Sequence, residues 1–326
     1  MNAASIAHRA LRLATHTFAV LAASAGLLGA PQVHAQADPL FRIGWQKGGS
    51  LAVVKARGNL DAELAAQGVT VNWIEFTAGP QMLEALNVGS IDFGLVGETP
   101  PVFAQAAGAD LLYVGVEPPA PRAEKILVPK DSPIQSVKDL KGKRIALNKG
   151  SNVHYLLVRL LESAGLQYSD VTVAFLPPAD ARAAFESGRV DAWAIWEPFG
   201  AAAESQIGAR ILADGTGVVN NHIFFIAARP FTERNPGTIN TALRVIHHEG
   251  QWITANVKAA AEIVAPQIGL SQEIAELAVS RYAYGVVPIS DAVATQQQQI
   301  ADLFTELKLI PKKLDVASVV WRAEKP

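Results

Sequence analysis

Hydrophobic positions along the chain follow two periods in turn. Residues 42–46 and 69–76 are rich in β-branched and aromatic side chains, which predicts strands. Residues 81–87 place Met82, Leu83 and Leu86 on one helical face, and Gly89 stops the run. The short apolar runs 91–96 and 111–116 suit buried strands. The alternation then restarts. Residues 144–147 predict a strand. Leu156, Leu157, Leu160 and Leu161 recur at i, i+1, i+4 and i+5, which predicts a helix ending at Gly165. Residues 178–187 predict another helix and 191–195 another strand. Strands alternating with helices of this length predict an α/β fold, with mainly parallel sheets covered by helices on both faces.

The unit occurs twice. Arg42-Ile43-Gly44-Trp45-Gln46-Lys47-Gly48 is similar to Arg144-Ile145-Ala146-Leu147-Asn148-Lys149-Gly150, 102 positions on. Val69-Thr70-Val71 returns as Val171-Thr172-Val173 at the same offset, and Gly89-Ser90-Ile91-Asp92 as Gly188-Arg189-Val190-Asp191 at 99. Three matches in one order predict two lobes of one architecture. The segment Glu117-Pro118-Pro119-Ala120-Pro121-Arg122 is too stiff and donor-poor for a central strand, so it predicts the exit from lobe one. Residues 221–229, between Gly217 and Pro230, predict the return. Lobe one is then expected at 38–124 and 225–326 and lobe two at 125–224, joined by a two-strand hinge that permits closure about a cleft. The chain after the return is expected to be mainly helical. Pro236 follows the cap candidate Asn235, and Ile300, Leu303, Phe304 and Leu307 form one stripe ahead of Pro311.

The first residues have a different character. Residues 1–37 contain no Asp or Glu, carry Arg9 and Arg12, and are most apolar at 18–28. Val33-His34-Ala35 and Ala35-Gln36-Ala37 follow. This is the pattern of a secretory signal peptide, cleaved after Ala35 or Ala37. The apolar core is short of the roughly 20 residues of a membrane span. The chain has 326 residues and no cysteine, which excludes disulfides, thiolate metal sites, a cysteine nucleophile and a lipidated N-terminal cysteine. A periplasmic protein without a lipid anchor is the expectation. Half the residues are hydrophobic and 18% are charged, enough apolar material for packed cores. A formal charge of -2 gives no footprint for nucleic acid.

Ligands of parallel α/β sheets sit beyond the carboxyl ends of the strands, where helix N-termini point. Four small-residue turns belong there: Gln46-Lys47-Gly48-Gly49-Ser50, Thr77-Ala78-Gly79-Pro80-Gln81, Gly97-Glu98-Thr99-Pro100-Pro101 and Lys149-Gly150-Ser151-Asn152-Val153-His154. Each alone reads as an ordinary helix cap. Four aimed at one cleft point to a small anion held by backbone N–H groups and hydroxyls. No phosphate-loop or dinucleotide glycine pattern is present, so a nucleotide is not indicated. In Trp193-Ala194-Ile195-Trp196-Glu197-Pro198, alternation puts Trp193 in the core and makes Trp196 a candidate cleft wall. Catalytic signals are poor. No metal-ligand pair at helical spacing exists among His154, His222, His247 and His248, and no Gly-x-Ser-x-Gly elbow occurs. Glu98 and Glu197 read better as solvated or salt-bridged groups than as an acid–base pair. His154 reads equally as an anion donor or a structural histidine.

Four stretches together resemble periplasmic aliphatic sulfonate-binding proteins of ABC importers. They are Trp45-Gln46-Lys47-Gly48, the run Ala78-Gly79-Pro80-Gln81-Met82-Leu83-Glu84-Ala85-Leu86-Asn87-Val88-Gly89-Ser90-Ile91-Asp92, the run from Pro100 to Asp110, and Asp191-Ala192-Trp193-Ala194-Ile195-Trp196. The likeness spans about residues 41 to 321. It implies the type II periplasmic binding-protein fold, an organosulfonate ligand, an ABC permease with its cytoplasmic ATPase as partner, a monomer, no cofactor and no enzymatic activity. Matching positions imply a site of Gln46, Gly79, Gln81, Thr99, Ser151, Asn152, His154 and Trp196. The chain departs from the family pattern with Glu98 where an Asp is common and Ser151-Asn152 where Ser-Ser is common. Taurine, longer alkanesulfonates and arylsulfonates therefore stay open, as do nitrate, bicarbonate and a pyrimidine on the same fold. Same-fold enzymes of pyrimidine-precursor synthesis or porphyrin-precursor deamination depend on cysteine, which is missing here. A sulfonate is a permanent monoanion with three acceptor oxygens and no proton to donate, so a donor-only pocket satisfies it. A phosphate monoester brings more charge or a proton that needs an acceptor, and an unmet buried polar group costs about 1–3 kcal/mol.

Overall fold

Residues 40–322 are described by the computed structural model, and the expected leader at 1–37 lies outside them. The first half runs β1 (Leu40–Trp45), α1 (Ser50–Arg57), α2 (Asn59–Ala65), β2 (Thr70–Glu75), α3 (Gly79–Asn87), β3 (Phe93–Gly97), α4 (Pro100–Ala106) and β4 (Leu111–Val116). After a crossing come β5 (Glu124–Val128), β6 (Arg144–Leu147), α5 (Asn152–Ser163), β7 (Thr172–Phe175), α6 (Pro178–Glu186), β8 (Ala192–Trp196), α7 (Phe199–Ile207) and β9 (Arg210–Asp214). The chain returns through β10 (Ile223–Ala228) and finishes with α8 (Arg229–Arg234), α9 (Pro236–Ala255), α10 (Val257–Ile268), α11 (Gln272–Arg281) and α12 (Asp291–Glu306).

The strands form two five-stranded sheets in one pattern, β2-β1-β3-β10-β4 and β7-β6-β8-β5-β9. In each, the first strand of the repeat pairs in parallel with the second and third. In each, one antiparallel strand from the chain crossing sits fourth, β10 in one and β5 in the other. The repeated Arg and Asp of the sequence explain the shared register. Arg42 N–H donates to Asp92 Oδ2 at 2.9 Å, and Arg144 N–H donates to Asp191 Oδ2 at 2.8 Å. Each Asp returns its own N–H to the arginine carbonyl at 2.8 Å. An aspartate before the third strand thus ties that strand to the start of the first in both halves.

Helices cover both faces of each sheet, as near-continuous apolar strands require. One face of the first sheet packs on α1, α2, α9 and α10, and the other on α3, α4 and α12. In the second sheet α5 covers one face, where Leu156, Leu157, Leu160 and Leu161 are buried, and α6 and α7 cover the other around Trp193. Truncating one such leucine to alanine costs about 2–5 kcal/mol. The crossings at 117–123 and 215–222 lie side by side. Glu117 N–H donates to Ile223 O at 2.8 Å and Ala120 N–H to Asn220 O at 3.0 Å. No helix of the described residues is long and apolar enough to cross a membrane.

Candidate functional site

The carboxyl ends of β1 and β3 in one sheet and β6 and β8 in the other converge on a cavity of about 40 Å³. One enclosed water needs about 10–15 Å³, so the space suits roughly three waters or one compact headgroup. Two helix starts border it. Gly79 opens α3 after the extended Ala78, and a Cβ there would come within 2.9 Å of Pro100 Cγ. Only a glycine lets the start of α3 pack this closely on the start of α4. From the other side come Ser151, the N-cap of α5, and Asn152, its first residue. First-turn amides have no partner inside their own helix, so Gly79, Gln81, Asn152 and Val153 present N–H groups at the positive ends of the two dipoles.

Of the expected residues, Gln46, Gly79, Ser151, Asn152 and Trp196 line this one cavity. Gln46 follows β1, and its Nε2 donates to Leu95 O at 3.0 Å, leaving its carbonyl end unengaged by that bond. Ser151 Oγ donates to Asn148 O at 2.6 Å, a bond that orders the turn. Trp196 stands at the end of β8 with its ring edge-to-face on Phe199, centroids 6.1 Å apart. The side chains of Gln81, Thr99 and His154 do not line the cavity. Gln81 Oε1 is buried without a partner, and Thr99 is fully buried with Oγ1 unpaired. His154 is fully buried among Phe103, Phe175 and Phe304. Its Nδ1 accepts from Gly150 N–H at 3.3 Å, so Nε2 carries the proton and donates to Tyr168 Oη at 2.8 Å. Burial, with Lys149 nearby, pushes the imidazole down to about 4, so it stays neutral near pH 7.

Other residues complete the wall. Gly48, Leu95, Gly97 and Pro100 come from turns or strands already singled out in the sequence, and Asn221 and Ile223 from the return predicted at 221–229, whereas Tyr282 follows the end of α11. Asn221 holds a left-handed φ of 50° and donates Nδ2 to Ala120 O at 2.8 Å. Tyr282 donates its hydroxyl to Glu197 O at 2.9 Å. A Cβ on Gly48 would come within 2.6 Å of that same carbonyl, so the bare backbone at 48 lets the two halves meet. No sequence signal points to Tyr282, and the strand pattern at 221–229 marks the return without marking Asn221 as a wall residue, because what brings both here is the chain's path after the second lobe.

Among the described residues no charged side chain lines the cavity. Three carboxyls are buried near the crossings instead. Glu98 is pushed up to about 7 by burial, against the His222 N–H that its Oε2 accepts at 2.8 Å. Burial pushes Glu117 up to about 8, and raises Glu124 well above the usual carboxylate range with help from Glu98 and Asp214. Glu117 therefore stays mostly protonated at neutral pH, and Glu124 is biased in the same direction. Glu197 is also fully buried, but its Oε1 accepts from Lys125 and from Arg281 at 2.6 Å, and its Oε2 from Ala201 N–H at 2.7 Å. The arrangement offers hydrogen-bond donors and an apolar wall. Among the described residues no cluster of His, Asp and Glu side chains converges as a metal site would.

Known proteins share this build. The model of the family described as NMT1/THI5 like matches residues 64–260. An aliphatic sulfonates-binding protein of Escherichia coli (strain K12) is 47% identical over 304 residues, which cover 92% of this chain and 95% of that protein. The structure of an alkanesulfonate-binding protein from Xanthomonas axonopodis pv. citri, bound to MOPS, superposes with a TM-score of 0.84 at 43% identity, covering 87% of this chain and 98% of its own. The crystal structure of the periplasmic aliphatic sulphonate binding protein from Escherichia coli gives 0.80 at 45% identity, with 88% and 93% covered. With the sheet order, the family match and near full-length relatives in agreement, the chain belongs to the NMT1/THI5-like family, alongside its aliphatic sulfonate-binding members.

Proposed function

We propose that this protein is the solute-binding component of an ABC importer, and that it captures an aliphatic sulfonate between its two lobes for delivery to the permease. One observation carries this reading: a headgroup-sized cavity borders two opposed helix starts and, among the described residues, has no charged side chain in its lining. A permanent monoanion fits such a cavity without a counter-ion. Its three oxygens take N–H donors from Gly79 and Gln81 on one side and Asn152 and Val153 on the other, while Trp196, Leu95 and Ile223 cover the carbon next to sulfur. Gln46, Ser151 and Asn152 supply side-chain dipoles. Gln81 contributes through its backbone, and Thr99 and His154 support the turns from behind.

Closure follows from the same geometry. Contacts from both helix starts coexist only when the halves are together, so the ligand shifts the equilibrium toward the closed form. The lobes are taken as 38–124 with 225–326, and 125–224, hinged at the paired crossings. β5 begins one residue before that boundary and β10 two residues before the return. The working location is the periplasm after loss of the leader at 1–37, as a monomer that docks on a permease and its ATPase. It binds and releases its ligand unchanged, and needs no cofactor.

A thermal-shift panel on ligand-stripped protein tests the reading. Stabilisation grows with ligand concentration over Kd, reaching about 2.7 kcal/mol at a hundredfold excess. Methanesulfonate and short alkanesulfonates are expected to raise Tm, and nitrate, sulfate and phosphate to leave it unchanged. A rise with nitrate alone, or chemical turnover of any sulfonate, overturns the reading.

A further inference from the structure

The headgroup cavity shares a wall with a larger space. A polar groove of about 440 Å³ runs between α5 and α12, lined by Glu98, Tyr155, Arg159, His222 and Gln297 among others. Three segments serve both spaces. Gly97 lines the small cavity and Glu98 the groove. Asn221 lines the cavity, while its neighbours Asn220 and His222 line the groove. On α5, Asn152 lines the cavity and Tyr155, one turn later, the groove.

Asn152 stands at the boundary. Its Nδ2 donates to Asn221 Oδ1, and Asn221 is in turn anchored to the crossing through Ala120 O. Its amide lies directly against the bare backbone of Gly97 in the other sheet, where an added Cβ would overlap it. A side chain from one half thus fills a notch in the other and bonds to the strap between them.

We infer that Asn152 sets the size of ligand the protein accepts. Seated in the Gly97 notch, it closes the headgroup cavity off from the groove and restricts the site to compact organosulfonates. Shortening it joins the two spaces and admits sulfonates with bulky polar tails, whose ether, amine or hydroxyl groups meet Tyr155, Arg159 and Gln297. This rests on the sulfonate reading above.

Calorimetry on the full chain tests it, with methanesulfonate as the compact probe and MOPS as the bulky one. In N152A and N152S the ratio of MOPS to methanesulfonate affinity is expected to rise at least tenfold over the unmodified protein, about 1.4 kcal/mol. G97A is expected to abolish tight binding, because its Cβ meets the asparagine, and G97A/N152A to restore it. Melting temperatures of all variants separate loss of binding from loss of fold. If the unmodified protein binds no organosulfonate, the functional reading fails and the size gauge with it. If methanesulfonate binds but the ratio stays put in both variants, or N152A does not relieve G97A, the gauge alone is wrong.

Discussion

Glu98 and Glu197 occupy the same place in the two halves, one residue beyond β3 and β8, yet they live in different chemistry. Glu197 has both oxygens engaged, by Lys125, by Arg281 and by the Ala201 N–H. Arg281 also binds Glu204 at 2.6 and 2.9 Å, so the end of α11 is tied to the second sheet's half. Glu98 has one oxygen on the His222 N–H and the other unpaired. The residues just before them differ as well. Gly97 leaves a notch in the cavity wall, and Trp196 fills its side with a ring. A repeated backbone plan therefore reserves a position without deciding its electrostatics. The partners that decide it come from elsewhere: Lys125 from a crossing strand and Arg281 from a helix 84 residues on.

Breaking the well-partnered member should cost most. Glu197→Ala takes away the fully buried carboxylate shared by Lys125 and Arg281 and leaves them only the partly exposed Glu204, and one-sided removal of a buried ion pair costs about 3–5 kcal/mol. Urea unfolding of Glu197→Ala beside Glu98→Ala checks this, with the smaller loss expected at 98. A similar loss in both would remove the contrast.

Glu98 should show itself in pH dependence. Its carboxyl is raised from 4.5 to about 7, so the folded state holds an extra proton between those values. Stability on this account is greatest below pH 4.5 and falls as pH rises to about 7, by up to about 1.4 kcal/mol per unit. Glu98→Gln is expected to remove that share, leaving the contribution of Glu117, which extends to about 8. His154 has the opposite sign. Its imidazole is lowered from 6.5 to about 4, so its contribution is full above pH 6.5 and is lost as pH falls toward 4. Between about 4.5 and 6.5 the two slopes oppose one another. His154→Gln should therefore steepen the fall with rising pH, whereas Glu98→Gln should make it shallower, since Glu117 still pulls in the same direction. Chemical denaturation at half-unit pH steps distinguishes the two.

The smallest effect concerns the wall. Trp196→Ala is expected to weaken an alkanesulfonate by about 1–2 kcal/mol, from lost apolar cover. The deficit should grow from methanesulfonate to propanesulfonate in calorimetry. A chain-length-independent loss would mean that Trp196 shapes the turn and not the ligand.

Much of the fold was legible in local pattern. The strands at 111–116 and 144–147 match the structure to the residue, and the helix predicted at 178–187 is found at Pro178–Glu186. The strand predicted at 91–96 is shifted to Phe93–Gly97, because Asp92 is spent on the bond to Arg42 before regular pairing begins. The site was legible as a set of turns but not as a set of side chains. The turns at Gly79 and Ser151 meet as their small residues suggested. His154 looked equally suited to an anion, and a phenylalanine cage drawn from α4, β7 and α12 encloses it instead.

Periodicity, turn residues and the internal repeat determined which segments are strands and helices and that the architecture is doubled, since those choices depend on neighbours a few residues away. Tertiary structure alone decided which equivalent residues became different. Whether a buried carboxyl finds a cation, whether a histidine meets solvent, and whether an asparagine has a glycine notch to enter are set by atoms distant in the chain. Burial strengthens each of those encounters, because desolvation penalises whatever is left unpaired.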